Sequence, residues 1–136
     1  MNFLKKLPYI IAEVGVNHNG KIDNAIKSIN LAAKSGANAV KFQLFKTDEF
    51  MSQKKLSYKY KTAKGFKTEN MYKMFKRLEF SNTWIKKIIT ACKKNNVDFL
   101  CSVADKNSVD LVRKHKIKVL KLSSEDIINY PLLKYI

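Results

Sequence analysis

The sequence predicts an α/β fold built on a parallel sheet, and three observations carry the prediction. Four short, apolar, strand-like runs alternate with segments whose apolar residues recur at three- and four-residue spacing. The connections between successive runs are long enough to hold a helix, which parallel neighbours require. Three of the four runs also carry one charge near the middle: Glu13 in Tyr-Ile-Ile-Ala-Glu-Val-Gly-Val, Lys41 in Ala-Val-Lys-Phe-Gln-Leu-Phe, and Lys121 in Val-Leu-Lys-Leu-Ser-Ser. An ionised group inside a buried strand is costly unless something pairs with it. Strands converging on a shared polar site account for all three. Two lysines and a glutamate there suit an anionic small molecule.

The elements follow in order. Tyr9 to Val16 is the first strand, stopped by the turn signal Asn17-His-Asn-Gly20. Ile22, Ala25, Ile26, Ile29, Ala32 and Ala33 form one helical face, and Ser35-Gly36 ends that helix with glycine at a C-cap position. Ala39 to Phe45 is the second strand. Lys46 to about Lys67 is a long polar stretch read as a loop, of the kind that is functional or mobile in compact domains. Glu69 to Leu78 is helical. Ser81 then caps a helix carrying Trp84, Ile85, Ile88, Ile89 and Cys92, closed by Asn95-Asn96. Asp98 to Val103 is strand three, Asn107 to Lys114 a short helix, Val119 to Ser123 strand four, and Tyr130 to Ile136 opens a last helix. Four βα units of this kind make either a small doubly wound sheet or the first half of a (βα)8 barrel.

Composition narrows the function classes. The chain of 136 residues has the size of one domain, with 46% hydrophobic residues to build a core. Its net charge of +16 invites a nucleic-acid reading, but only Arg77 and Arg113 among 27 basic residues are arginine. Base readout and bidentate phosphate contacts favour arginine, so no nucleic-acid partner is expected. The glycine-rich phosphate-binding motifs are absent. Cys92 and Cys101 lie in no metal-binding spacing and read as buried, reduced thiols. The opening Met-Asn-Phe-Leu-Lys-Lys-Leu-Pro has no signal-peptide core, and no run reaches transmembrane length, so a cytoplasmic protein with no membrane partner is expected.

Residues two apart on a strand share a face. Lys41 and Gln43 therefore point one way while Val40, Phe42 and Leu44 point the other. Glu13, Gly15 and Asn17 share parity, as do Lys121 and Ser123. Active sites of parallel barrels gather at the C-terminal ends of strands, and Asn17, His18, Ser102, Ser124 and Glu125 all fall there.

At this point the motifs match a known family. Ile10-Ile-Ala-Glu13-Val-Gly-Val-Asn17-His18-Asn-Gly20 resembles the opening of the sialic acid synthases, which include N-acetylneuraminate, legionaminic acid and pseudaminic acid synthases. Gly36-Ala-Asn-Ala-Val-Lys41-Phe-Gln43 is similar to the family's second strand, and Met71-Tyr-Lys-Met-Phe-Lys-Arg-Leu-Glu79 to the helix before its second barrel helix. Lys121-Leu-Ser-Ser124-Glu125 with Asn129-Tyr-Pro-Leu-Leu is similar to the fourth strand and its loop. The resemblance runs from about Tyr9 to Ile136. It implies an α/β parallel (βα)4 half of a TIM-type (βα)8 barrel, with residues 1–136 as the N-terminal half of a truncated synthase domain without the C-terminal antifreeze-like domain. It implies a transferase that condenses phosphoenolpyruvate with an N-acyl amino sugar, with a divalent metal, Mn or Mg, polarising the aldehyde in the full-length enzyme. Lys41 and Lys121 would hold the carboxylate and phosphate, with Ser102 and Ser124 as further substrate-binding hydroxyls. Glu13 would be the catalytic acid near the reacting carbons, and Asn17, His18 and Gln43 possible contacts. The metal-binding histidines lie in later strands, so this chain holds no metal ligands; His18 and His115 do not correspond to them. Cys101-Ser-Val-Ala-Asp105 replaces the family's Ser-Thr-Pro-Phe, which alters the pocket wall. Alone, such a half is expected to be inactive and, with two open sheet edges, to form a homo-oligomer. Two other readings stand beside it: a different phosphoenolpyruvate-using deoxy-sugar-acid synthase, and a non-catalytic half-barrel that assembles with another chain.

Overall fold

The strand β2, Ala39–Leu44, has a neighbour on each side and is the middle of the molecule. The computed structural model describes residues 8–136; most of the opening stretch without a signal-peptide core lies outside them. β1 (Ile11–Gly15) and β5 (Asp98–Val103) flank β2, and β6 (Leu120–Leu122) lies beyond β5, all parallel, in the order β1-β2-β5-β6. Between them run α1 (Ile22–Lys34), α4 (Ile85–Lys94) and α5 (Lys106–Lys114), with α6 (Tyr130–Tyr135) last. The α/β class and the parallel sheet of four βα units agree with the sequence expectation.

Alternation along β2 sorts the two faces. Val40, Phe42 and Leu44 are buried and meet Ala25 and Ile29 of α1, Ile85, Ile88 and Cys92 of α4, and Val109 and Val112 of α5 in one core. Burying a side chain such as Phe42 or Ile88 contributes roughly 1.5–3 kcal/mol each. On the opposite face Gln43 and Lys121 are exposed and Glu13 is half-exposed. No helix among the described residues is long and apolar enough to cross a membrane.

Each helix that returns to the sheet ends in the same way. After α1, Gly36 takes φ +83°, its N–H reaches Ala33 O at 3.0 Å, and Ala37 N–H reaches Ala32 O at 3.1 Å. After α4, Asn96 (φ +52°) and Val97 repeat this pair of bonds to Lys93 O and Cys92 O. After α5, Lys116 (φ +53°) and Ile117 repeat it to Arg113 O and Val112 O. The bonds satisfy carbonyls the helix leaves free, and at the second and third exits Val97 and Ile117 follow onto the core. Glycine and asparagine announce the first two exits; lysine does not announce the third.

The polar stretch after β2 corrects the sequence reading. It is not a loop over residues 46–67: Thr47–Phe50 forms a single helical turn, α2, and Ser57–Thr62 (β3) pairs antiparallel with Gly65–Asn70 (β4) as a hairpin. Tyr58 and Tyr60 stack at 5.7 Å on one face of it, and the Tyr60 hydroxyl donates to Glu69 at 2.6 Å. Glu69 and Asn70 therefore belong to β4, and the following helix α3 is Met71–Leu78, with Asn70 accepting the Lys73 N–H as its cap at 2.9 Å. The lysine content hides the tyrosine alternation that marks β3.

His18 is also corrected. Sequence reading placed it on a surface loop with a chance of meeting ligand; it is fully buried on the helix-covered side, against Trp84 (5.4 Å), Phe42 and Phe80 (both 6.3 Å). Its Nδ1 accepts the Gly20 N–H at 3.1 Å, and Nε2 has no partner among the described residues. Burial among these rings lowers its pKa below the ordinary value.

Two outcomes follow for stability. Lys116→Gly removes the left-handed penalty at the third exit and should raise unfolding free energy by about 0.5–1 kcal/mol in urea; an unchanged or lower midpoint would contradict the cap assignment. For His18 the unfolded chain takes up the proton first, so stability is full above the unfolded value near about 6.5 and falls as pH drops below it. Melting temperature should decline between roughly pH 7 and 5, and His18→Asn, which keeps an acceptor for Gly20, should flatten that decline.

Candidate functional site

The register of the sheet brings most of the sequence-predicted residues together. Glu13 lies beside Lys41, and Lys41 beside Leu100, forming one cross-strand row. Gln43, Ser102 and Lys121 form a second row. It lies two residues nearer the C-terminal ends, on the same face, about 6.6 Å along the strands. With neighbouring strands about 4.8 Å apart, the Lys41 and Lys121 backbones lie roughly 11–12 Å from each other. Their flexible stems can close on one small dianion between them.

Lys41 forms an ion pair with Glu13; its side chain is 14% exposed and that of Glu13 49%. Gly15 makes room for the pair. It has φ +55°, and a Cβ there would sit 3.2 Å from Glu13 Oε1 and 3.8 Å from the Gln43 amide. The strand is irregular here: Glu13 pairs with Lys41, and Gly15, not Val14, pairs with Phe42. The shift breaks the alternation that had aligned Asn17 with Glu13. Asn17 is exposed in the turn beyond β1, its N–H bonded to Val14 O at 2.9 Å.

Above the second row a chamber of about 440 Å³ opens at the C-terminal ends of β2, β5 and β6. Ligands of open parallel sheets bind outside these ends. Gln43, Ser102 and Ser123 line its floor, Phe45, Phe50 and Phe75 one wall, and Glu125 and Asp126 another part of the rim. Ser124 opens a 3-10 segment (Ser124–Ile128), is exposed, and does not line the chamber; its neighbour Ser123 does. Depressions of about 510 Å³ between α4 and α5 and about 760 Å³ at the opposite end of the sheet touch none of Glu13, Lys41 and Lys121.

Two carboxylates that sequence reading missed hold the corner beside the chamber. The Lys46 N–H donates to Asp105 Oδ2 at 2.7 Å, and the Thr47 N–H to Glu79 Oε1 at 2.9 Å. Asp105 also accepts the Ser108 N–H and hydroxyl at 2.8 and 2.9 Å, capping α5. Burial pushes the Glu79 pKa up, but the Thr47 N–H and the Lys76 ammonium outweigh it and leave the carboxyl below its usual range. Asp three residues before Ser108 is a capping signal; Glu79 carries no local signal because its partner is remote in sequence.

Cys92 and Cys101 are buried and free, and burial pushes both thiols up to about 12, which leaves them unreactive. Among the described residues no group of three His, Cys, Asp or Glu side chains could hold a metal ion.

Comparison with known proteins agrees with the motifs. A model of the NeuB family matches residues 28–136. The chain is 41% identical over 128 residues to the spore coat polysaccharide biosynthesis protein SpsE of Bacillus subtilis, covering 94% of this chain and 34% of that protein. It is 40% identical over 131 residues to the N,N'-diacetyllegionaminic acid synthase of Campylobacter jejuni, covering 96% and 39%. The crystal structure of an N-acetylneuraminic acid synthetase from Leptospira borgpetersenii superposes with a TM-score of 0.77 at 27% identity, covering 96% of this chain and 41% of that one. The chain thus spans 34 to 41% of the length of these relatives, and it belongs to the NeuB family.

Proposed function

We propose that this chain forms the phosphoenolpyruvate-binding half of a synthase that joins phosphoenolpyruvate to an N-acyl amino sugar. The observation that supports it best is the pair of cross-strand rows, Glu13–Lys41 and Gln43–Ser102–Lys121, at the open end of a parallel sheet. In this reading the strand order β1-β2-β5-β6 is the first half of a (βα)8 barrel, with the β3–β4 hairpin inserted after its second strand. Membership of the NeuB family, with a legionaminic acid synthase among its similar proteins, supports this choice of substrates.

The residues divide the work by charge. Lys41 and Lys121 bind the carboxylate and phosphate, and the Ser102 hydroxyl and Gln43 amide donate between them; charge-assisted bonds of this kind are the strong ones. Ser124 is placed to contact the phosphate only if its 3-10 segment turns inward. Holding the anion fixes the enol carbon for attack on the aldehyde carbon of the sugar. The methylene carbon bonds to the aldehyde carbon, whose oxygen takes a proton. Positive charge develops at the carbon bearing the phosphate ester, and water adds there and gives up a proton. The bond to phosphate breaks, releasing inorganic phosphate and leaving a 2-keto acid. Glu13, half-exposed beside Lys41, faces the place where that positive charge develops and stabilises it. The family's divalent metal would activate the aldehyde. The described residues do not fit such an ion, since Glu13 is already paired with Lys41 and His18 is sealed behind the sheet, and no step here runs through it.

The two outer strands, β1 and β6, have no further partner among the described residues, and Ile127, Ile128 and Tyr130 are exposed near β6. Unpaired edges recruit strands. In a barrel they meet the remaining strands; for this chain alone the partner is a second copy. Sedimentation should show self-association with rising concentration, and a monomer throughout would remove the half-barrel reading.

The substrate assignment is tested by calorimetry with phosphoenolpyruvate. Lys41→Ala and Lys121→Ala should each lose about 1.5–3 kcal/mol of binding, with no turnover by the chain alone. Equal affinity in the double variant, or turnover that survives Lys41→Ala, would contradict the proposal.

A further inference from the structure

The chamber above the lysine rows differs in chemistry from the rows themselves. The chain carries +16 net charge, yet among the described residues no Lys or Arg lines this chamber. Among the described residues its charged lining groups are Glu125 and Asp126. A phosphate or carboxylate would meet two like charges there, so an anion is disfavoured by its surroundings. The wall is aromatic instead. Phe45, Phe50 and Phe75 pack edge to face with ring centroids 5.2 to 5.9 Å apart. Phe45 is buried, but Phe50 is 46% exposed. An exposed phenyl ring on a short turn, facing a recess of this size, is an apolar surface for a ligand to cover. The turn bearing Phe50 is held in place by the remote carboxylates of Asp105 and Glu79 through the Lys46 and Thr47 N–H groups.

We infer that the Phe45–Phe50–Phe75 wall is the specificity-determining surface for the acyl group of a neutral N-acylated amino sugar, with Glu125 and Asp126 accepting hydrogen bonds from its hydroxyl or amide donors. This rests on the phosphoenolpyruvate reading for the identity of the second substrate and adds where that substrate lies and what selects it. The floor residues Gln43 and Ser102 are shared by the chamber and the upper row. They bring the sugar next to the anion without mixing the two charge environments. The wall takes CH groups and the acidic rim takes OH and NH groups, and neither takes an anion.

The test measures binding of N-acetyl, N-propanoyl and N-butanoyl hexosamines to the 136-residue chain by saturation-transfer NMR. Each added methylene that reaches the wall should tighten binding by up to about fourfold. Phe50→Ala should flatten the series, and the milder Phe75→Leu should reduce its slope, with thermal melts showing both variants folded. Glu125→Gln with Asp126→Asn should weaken all three sugars by a similar factor and leave the slope intact. An unchanged slope in both phenylalanine variants, or no binding of any of the sugars to the unmodified chain, would overturn the assignment. Phosphoenolpyruvate affinity on the same samples separates this inference from the one beneath it. It should be equal in Phe50→Ala and the unmodified chain, and a parallel loss would give the chamber to the anion and overturn the assignment. Loss of the Lys41 dependence alone would overturn the phosphoenolpyruvate reading and leave the acyl series standing.

Discussion

The alternation of β2 is the constraint on which the rest of the molecule depends. Val40, Phe42 and Leu44 are buried under three helices, so Lys41 and Gln43 must project from the other face. A slip of one residue would carry two polar side chains into the core and three apolar ones into water. The register with β5 is regular from Ala39 to Leu44, which fixes Gln43 beside Ser102, and the β5–β6 register then fixes Ser102 beside Lys121. The row Gln43–Ser102–Lys121 is a consequence of core packing on the reverse side of the sheet.

What keeps the strand ends aligned is a small set of repeated devices. The same left-handed helix exit precedes β2, β5 and the approach to β6, and the last two deliver Val97 and Ile117 to the core before the strand begins. At the opposite end Asp105 and Glu79 take the first two N–H groups after Phe45. These charge-assisted bonds link elements remote in sequence and set where the aromatic wall stands relative to the lysines. Arg77 extends the arrangement outward: it donates to Asn19 in the turn after β1 at 2.8 Å and to Glu69 of the hairpin at 3.1 Å. One of the two arginines in a lysine-dominated chain thus occupies a place where a forked donor bridges two elements.

The strands, the helices and the polar face were legible because periodicity reports burial directly. Charge and parity placed Glu13, Lys41, Gln43 and Lys121 on one face of the sheet, and Ser102 was singled out by its position at a strand end and by the family resemblance. The hairpin was not, because its tyrosines are spaced among lysines and its turn, Ala63-Lys64, lacks the usual asparagine or aspartate signal. Asn17 was misplaced because parity cannot see the irregularity at Gly15. His18 was misplaced because a polar residue after a strand resembles surface, whereas three aromatic rings from β2, the segment after α3 and the turn before α4 close over it. The aromatic wall was missed because Phe45, Phe50 and Phe75 share no local period and meet only in three dimensions.

The central claim is that the rows Glu13–Lys41 and Gln43–Ser102–Lys121, on the open face of the sheet below the chamber, form an anion site. Backbone amide shifts of the isotopically labelled chain during titration with phosphoenolpyruvate test it most directly. Saturable shifts concentrated at Lys41, Gln43, Ser102 and Lys121, with little change at the core-facing Phe42 contacts in α1 and α4, are the predicted result. Unsaturable shifts spread over the exposed lysines of the hairpin and the helices would show a merely basic surface and contradict the account.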